Sequence, residues 1–303
     1  MLEVRNISKT FGEKKAVNNI SFNVENGKIF GLLGRNGAGK STIFRIILNI
    51  LKQDAGEVKY NGEFIDEKYS ENIGYLPEEG SLIESYTVLE QMLYYGALKS
   101  MAEKEIKNRA VELLEKFNIV EYLNMKIKDL SKGNRQKIQI IIAILHNPEL
   151  VILDEPFSGL DPISVNEFKN VILELKEQNK MIIFSSHRMD HVEMLCQEIL
   201  IIDKGNEILK GNLEEIKNSY GAHELNIVGQ IGKYTLDIIK NTNGVLGAEK
   251  VKEDTFKIKL ESEEIIPRIF NLLKSSYITN FSTTKVSLND IFIDKVGSKY
   301  EEE

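Results

Sequence analysis

The apolar run Ile29-Phe30-Gly31-Leu32-Leu33 enters the segment Gly34-Arg35-Asn36-Gly37-Ala38-Gly39-Lys40-Ser41-Thr42, and a helical pattern follows. No other stretch of the sequence constrains the fold as tightly. A short apolar run bounded by glycine suits a strand buried on both faces. Ile43, Ile46, Ile47 and Ile50 then recur at helical spacing until Gln53-Asp54-Ala55-Gly56 stops the pattern. The spacing G-x-x-x-x-G-K-S between strand and helix is that of a phosphate loop. Its glycines let successive backbone N–H groups turn inward, and the helix adds its positive end. A chain with this unit folds as α/β and binds a nucleoside triphosphate. Asn36, Gly37, Ala38 and Gly39 form the cradle. Lys40 is placed to reach the β- and γ-phosphates, Ser41 to bind Mg2+, and Thr42 to contact a phosphate oxygen.

Leu150–Leu153 predicts a second buried strand, ending in Asp154-Glu155. Open α/β sheets hold ligands beyond the carboxyl ends of their strands. Neighbouring strand residues point to opposite faces, so the two acids take different roles. Asp154 can hold Mg2+ through water, and Glu155 can activate the attacking water as general base. A helix at about 162–178 leads to a third strand, 181–185, and His187 lies just beyond its end. There an imidazole can donate to the γ-phosphate. His146, His191 and His223 lack such a setting and read as structural. With Cys196 they show no metal-ligand spacing.

Residues 2–11 and 16–24 alternate as strands. From about 79 to 145 the pattern turns helical, with segments 87–99, 103–117 and 134–145. The character changes again near Ser219-Tyr220-Gly221, which divides the chain into domains at 1–220 and 221–303. The second reads strand 224–228, helix 234–241, strands 245–251 and 255–260, helix 262–274, strand 277–286 and helix 287–296. This is a small α+β domain, ferredoxin-like in order. Glu301-Glu302-Glu303 reads as a frayed tail.

Bulk properties narrow the partners. A chain of 303 residues accommodates one large domain and a smaller one. A net charge of −7 argues against a dominant nucleic-acid surface. The single cysteine, Cys196, excludes an internal disulfide and fits a reducing compartment. The N-terminus MLEVRNISKTF carries no secretion leader. The longest apolar stretch, 138–145, falls far short of the roughly 20 residues a membrane span requires. Any membrane part of this system comes from another chain.

Leu130-Ser131-Lys132-Gly133-Asn134 has no role in a site built from these segments alone. With it included, residues 1–218 resemble the ATP-binding subunits of ATP-binding cassette (ABC) transporters. The resemblance implies a P-loop NTPase cassette core with the helical subdomain inserted at 79–145, and ATP and Mg2+ as cofactors. It makes LSKGN the signature segment, with Ser131 and Gly133 facing the γ-phosphate held by a second, head-to-tail subunit. Phe11 would stack on adenine with Val17 beside it. Ser158-Gly159-Leu160-Asp161 matches the loop crossing the dimer interface, where Asp161 links the two sites. The implied partners are a second copy, or an equivalent ATPase subunit, and an integral membrane permease. The helical subdomain would present the permease docking surface at the cytoplasmic face of the membrane.

Two departures stand out. Tyr75-Leu76-Pro77-Glu78 offers Glu78 where the family usually has glutamine, and we expect Glu78 to serve as the metal-side sensor. LSKGN replaces the common LSGGQ, and Lys132 either adds positive charge near the interface or faces solvent. Both departures, and the segment 221–303 with its Ser287-Leu288-Asn289-Asp290-Ile291-Phe292, resemble a bacterial subset that includes drug, bacitracin and sodium-ion efflux ATPases, which points to export. The alternative is a soluble cassette ATPase acting on nucleic acid or the ribosome. Such chains typically carry long coiled coils or two cassettes, and neither pattern occurs here. A P-loop kinase or GTPase leaves LSKGN and His187 without a role.

Overall fold

The chain opens with a hairpin, β1 (Leu2–Phe11) and β2 (Lys14–Val24), and continues through β3 (Ile29–Leu33), whose five residues are all buried, into α1 (Lys40–Ile47). The computed structural model describes residues 1–297 apart from 79, 81, 221 and 222, so the acidic tail 301–303 lies outside the described residues. Next come β4 (Ala55–Tyr60), β5 (Glu63–Phe64) and β6 (Ile73–Leu76). Helices α2 (Val88–Leu98), α3 (Glu103–Lys116) and α4 (Lys132–Ile144) follow. The first unit closes with β7 (Leu150–Asp154), α5 (Pro162–Glu177), β8 (Met181–Ser186), α6 (Met189–Leu195), β9 (Glu198–Asp203) and β10 (Asn206–Asn212).

Two sheets organise this unit, Met1–Gly211. One is six-stranded in the order β10-β9-β3-β8-β7-β6, and its strands β6, β7, β8, β3 and β9 pair in parallel. Every residue of β3, β7 and β8 is buried, as expected of parallel strands covered on both faces. The other sheet, β2-β1-β4-β5, is antiparallel. Ile43, Phe44 and Ile47 of α1 pack into one core with Val4, Ile7 and Ile20 of the hairpin and Leu32, Ile152 and Ile183 of the parallel sheet. Because β6 and β7 are parallel neighbours, the helices α2, α3 and α4 form the crossover between them. The helical insertion thus hangs from adjacent strands of the catalytic sheet.

The second unit, Asn212–Glu303, holds α7 (Leu213–Ser219), β11 (His223–Gln230), α8 (Lys233–Lys240), β12 (Val245–Lys252) and β13 (Thr255–Leu260). It ends with α9 (Ile266–Leu272), β14 (Tyr277–Lys285) and α10 (Leu288–Gly297). Its antiparallel sheet runs β12-β13-β11-β14. With strands and helices in the sequence βαββαβ, that order is the ferredoxin-like arrangement. Alternate residues Leu225 and Ile227, with Phe256, Ile258 and Leu260, pack against Ile239 and Ile269 of the helices.

Candidate functional site

The site begins where β3 ends. Gly39 caps α1 at φ +115 without a side-chain acceptor, and the first turn carries no acid. The first N–H groups of a helix have no intrahelical acceptor, so this end is built for an anion. A Cβ on Gly39 would lie 2.4 Å from the Ala16 carbonyl oxygen, so the loop fits under β2 only as glycine. Lys40 is buried and its Nζ donates back to the Gly34 (2.7 Å) and Arg35 (3.4 Å) carbonyls. A cavity of about 340 Å3 is lined here by Asn36, Gly37, Gly39, Lys40, Ser41 and Thr42 of the loop, by Phe11, Lys14 and Ala16 of the hairpin, and by Glu78.

Most expected cradle residues therefore meet at one cavity, with two exceptions. Ala38 is buried, and its N–H closes a turn onto the Arg35 carbonyl at 3.1 Å. Val17 is fully buried among the core side chains and is not in the cavity lining, and its Cγ2 would lie 3.7 Å from a Cβ on Gly39. Strand alternation sends Ala16 to the cavity and Val17 to the core. Phe11 keeps a half-exposed ring, with Lys9 Nζ 5.9 Å from its centroid. Lys14, paired with Phe11 across the hairpin, lines the same cavity. Sequence reading missed Lys14 because a charged turn residue carries no motif.

On the acid side, Asp154 Oδ2 accepts from Ser41 Oγ at 3.1 Å and Oδ1 from Ser185 Oγ at 2.5 Å. Glu155 sits at φ +50, in the left-handed region where a residue with a side chain is strained. Its N–H is held by Ser185 Oγ at 3.1 Å and its Oε2 accepts from Ser186 Oγ at 3.3 Å. Oε1 lies 2.9 Å from His187 Nδ1 and 4.0 Å from Lys40 Nζ. Neither approach has hydrogen-bond geometry, so among the described residues this buried oxygen has no hydrogen-bond donor. Three strand ends thus converge: the loop after β3 leads to Lys40 and Ser41 at the start of α1, the end of β7 carries both acids, and the end of β8 the two serines and half-exposed His187. Elsewhere, burial first and Lys99 second push His146 down to about 4, and burial also lowers His191, which fits neutral packing roles.

Ser131, Gly133 and Asp161 are absent from the cavity lining. Ser131 caps α4, accepting from Asn134 N–H at 3.2 Å. Asp161 caps α5 by accepting from the Ile163 and Ser164 N–H groups (2.9 and 3.0 Å) and from Ser164 Oγ (2.7 Å). Those Ser164 donors lead in holding its carboxyl below the usual range.

Ser41 Oγ and Asp154 Oδ2 present adjacent oxygens beside the cradle. That set fits Mg2+, which favours one or two protein oxygens completed by substrate phosphates.

Residues 17–158 match the ABC transporter family, and residues 211–296 match the C-terminal domain of DrrA1-3-like ATP-binding proteins. The ABC transporter ATP-binding protein YhaQ of Bacillus subtilis is 43% identical over 302 residues, covering 99% of this chain and 100% of its own length. The chain belongs to the ABC transporter ATP-binding proteins. The linearmycin resistance ATP-binding protein LnrL of Bacillus subtilis is 38% identical, over 73% of this chain and 72% of its own. A bacterial ABC transporter cassette solved as a dimer superposes with a TM-score of 0.65 at 25% identity, covering 70% of this chain and 99% of that one. As an ABC cassette the chain binds ATP, and it is an ATPase whose hydrolysis powers transport. The bacterial ATP-binding-subunit likeness of its sequence agrees with the DrrA-like domain match.

Proposed function

We propose that two copies of this chain close head to tail on two ATP molecules, and that closure and reopening drive a separate membrane permease in the export direction. The observation that carries this reading is the position of the LSKGN segment. Its Ser131 and Gly133 stand at the N-terminus of α4, outside the cavity formed by Lys40 of the same chain. A helix end of this kind attracts phosphate, and a head-to-tail copy gives it one to meet. The dimeric form of the related cassette supports a pairing of two copies. Among the described residues no helix is long and apolar enough to cross a membrane, and the proposal gives the membrane-spanning part to a second protein at the inner membrane face. The linearmycin resistance named for LnrL supports export.

Within the site, Lys40 and the loop N–H groups hold the β- and γ-phosphates, and Phe11 stacks on the base. Ser41 and Asp154 would hold Mg2+, which supplies charge neutralisation of the phosphates. Glu155 takes the proton of the attacking water, and His187 contacts the γ-phosphate from the β8 end. Closure moves the permease only insofar as ATP favours the closed pair over the open one.

Ser131→Arg tests the composite site. We expect this variant to bind ATP as a single chain yet fail to form the ATP-dependent dimer, as read by sedimentation. Turnover should fall by about two orders of magnitude, the scale of losing one phosphate-side donor. Mixed dimers with a Lys40→Ala chain should keep at most one working site. Full turnover by the Ser131 variant would place the whole site within one chain.

Glu78 enters the same cavity as Ser41 and Thr42 and is exposed. We propose that its carboxylate attends the metal side. Glu78→Gln removes one negative charge beside the phosphates, so the Mg2+ concentration for half-maximal turnover should rise by about 10- to 100-fold, as expected for a lost outer metal contact. An unchanged Mg2+ titration would dismiss this role.

A further inference from the structure

The signature segment departs from the family pattern at Lys132, and the structure gives that departure a contact. A Cβ on Gly159 would lie 3.0 Å from Lys132 Cε and 3.5 Å from its Cδ and Nζ. The lysine stem therefore runs along the Gly159 backbone, and Gly159, at φ +75, suits the site by both its conformation and its lack of a side chain. A second tie is close by: Gln136 Nε2 donates to the Pro156 carbonyl at 3.2 Å. The Cβ position of Gly133 falls 4.0 Å from the Gly159 carbonyl oxygen. The first turn of α4 thus lies on the loop 156–160.

That loop starts directly after Glu155 and ends at Asp161, the cap of α5. Pro156 and Phe157 are buried, with Phe157 packed on Phe168, Phe184 and His191, whereas Ser158 and Gly159 are exposed; the Ser158 N–H, donating to the Glu155 carbonyl at 3.0 Å, ties this less packed part back to Glu155. Glu155 itself sits in a strained backbone conformation that its surroundings must hold. Alkyl groups of a long cationic side chain pack on neighbours while the charge stays in water. Among the described residues Lys132 has no ion pair, so the stem carries the contact.

We propose that Lys132 is a positioning residue whose aliphatic stem, lying on Gly159, braces the loop after Glu155 and sets where that carboxylate stands. The proposal rests on the reading of Glu155 as general base. Small displacements of a catalytic group cost rate while leaving substrate binding intact. The bracing also joins the helix end that would meet one nucleotide to the base that acts on the other.

Lys132→Ala and Lys132→Met separate stem from charge, since alanine keeps the helix and methionine keeps the stem. In the intact chain, Lys132→Ala should lower kcat by about three- to ten-fold with the KM for ATP unchanged, the scale of a mild misplacement. Lys132→Met should restore wild-type kcat. Adding Gly159→Ala, which sets a methyl against the stem, should cost less kcat in the Lys132→Ala background than alone, giving a non-additive cycle. Wild-type kcat in Lys132→Ala, or a Lys132→Met variant as slow as Lys132→Ala, overturns the bracing. Glu155→Gln is measured in parallel. If it hydrolyses normally, the base falls and the bracing with it; if it is slow while Lys132→Ala is wild type, the bracing alone falls.

Discussion

Lys40→Ala is expected to abolish ATP turnover and remove the stabilisation that ATP gives the wild-type chain. The lysine is buried at the mouth of α1, with its ammonium held over the loop by the Gly34 and Arg35 carbonyls at 2.7 and 3.4 Å. Those two acceptors are modest partners for a full charge, and phosphate oxygens are far better ones. Loss of a preorganised donor at such a position costs about 2.7–4 kcal/mol, or roughly 10² to 10³ in rate. The fold should survive, because α1 is anchored by Ile43, Phe44 and Ile47, and Lys40 has no part in that core. A ligand at one hundred times its Kd stabilises its protein by about 2.7 kcal/mol. Thermal unfolding with and without ATP therefore reads the prediction directly: the wild-type chain shifts upward and the variant stays put. An ATP-dependent shift of wild-type size in Lys40→Ala would mean that the phosphates bind elsewhere.

How far the sequence foretold this site depended on whether the chemistry was local. The phosphate loop was legible because glycine spacing, lysine and flanking apolar run all lie within fifteen residues. Asp154 and Glu155 were legible because an all-apolar strand points at them. The serines that hold those acids were not. Ser185 and Ser186 lie 31 residues further along the chain from Asp154 and Glu155, and only the parallel pairing of β7 with its neighbour β8 brings Ser185 Oγ within 2.5 Å of Asp154. Val17, which the resemblance sets beside Phe11, faces the core from β2 while its neighbour Ala16 lines the cavity, a difference of one step in strand phase that spacing alone does not show. Lys132 gave no hint of its position because the residue it touches, Gly159, is remote in sequence.

The same distinction explains the fold. Buried parallel strands announce themselves as unbroken apolar runs. β4 and β5 escaped notice because Ala55-Gly56-Glu57 and Glu63-Phe64 are largely exposed and mix glycine with charge, so no alternation survives. Their pairing is imposed by β1, whose Leu2, Glu3 and Val4 oppose Tyr60, Lys59 and Val58. β6 is four residues long, and its apolar signal is cut by Gly74. A Cβ at Gly74 would lie 2.1 Å from the Ala143 carbonyl oxygen, so the glycine is there to let α4 approach. Tertiary contact, here, outweighed local propensity.

Glu155→Gln should separate ATP binding from hydrolysis. The substitution keeps size and shape, so the Ser185 contacts to the backbone N–H stay, and the amide oxygen can still accept from Ser186 Oγ in place of Oε2. What is lost is proton-accepting power at Oε1, the buried oxygen that faces His187 at 2.9 Å and Lys40 at 4.0 Å without a hydrogen bond to either. Removal of a general base slows a reaction by about 10² to 10⁴. Binding should hold or tighten, because a negative charge beside the γ-phosphate disappears while Lys40 remains. With hydrolysis blocked, the state favoured by ATP has no exit. The variant should therefore accumulate as a dimer carrying two nucleotides, visible by sedimentation and by unhydrolysed ATP in the isolated complex. Lys40→Ala offers the opposite pattern, with neither nucleotide nor dimer. A Glu155→Gln chain that turns over ATP at the wild-type rate would move the proton acceptor to another group, and His187 is the nearest one the geometry provides.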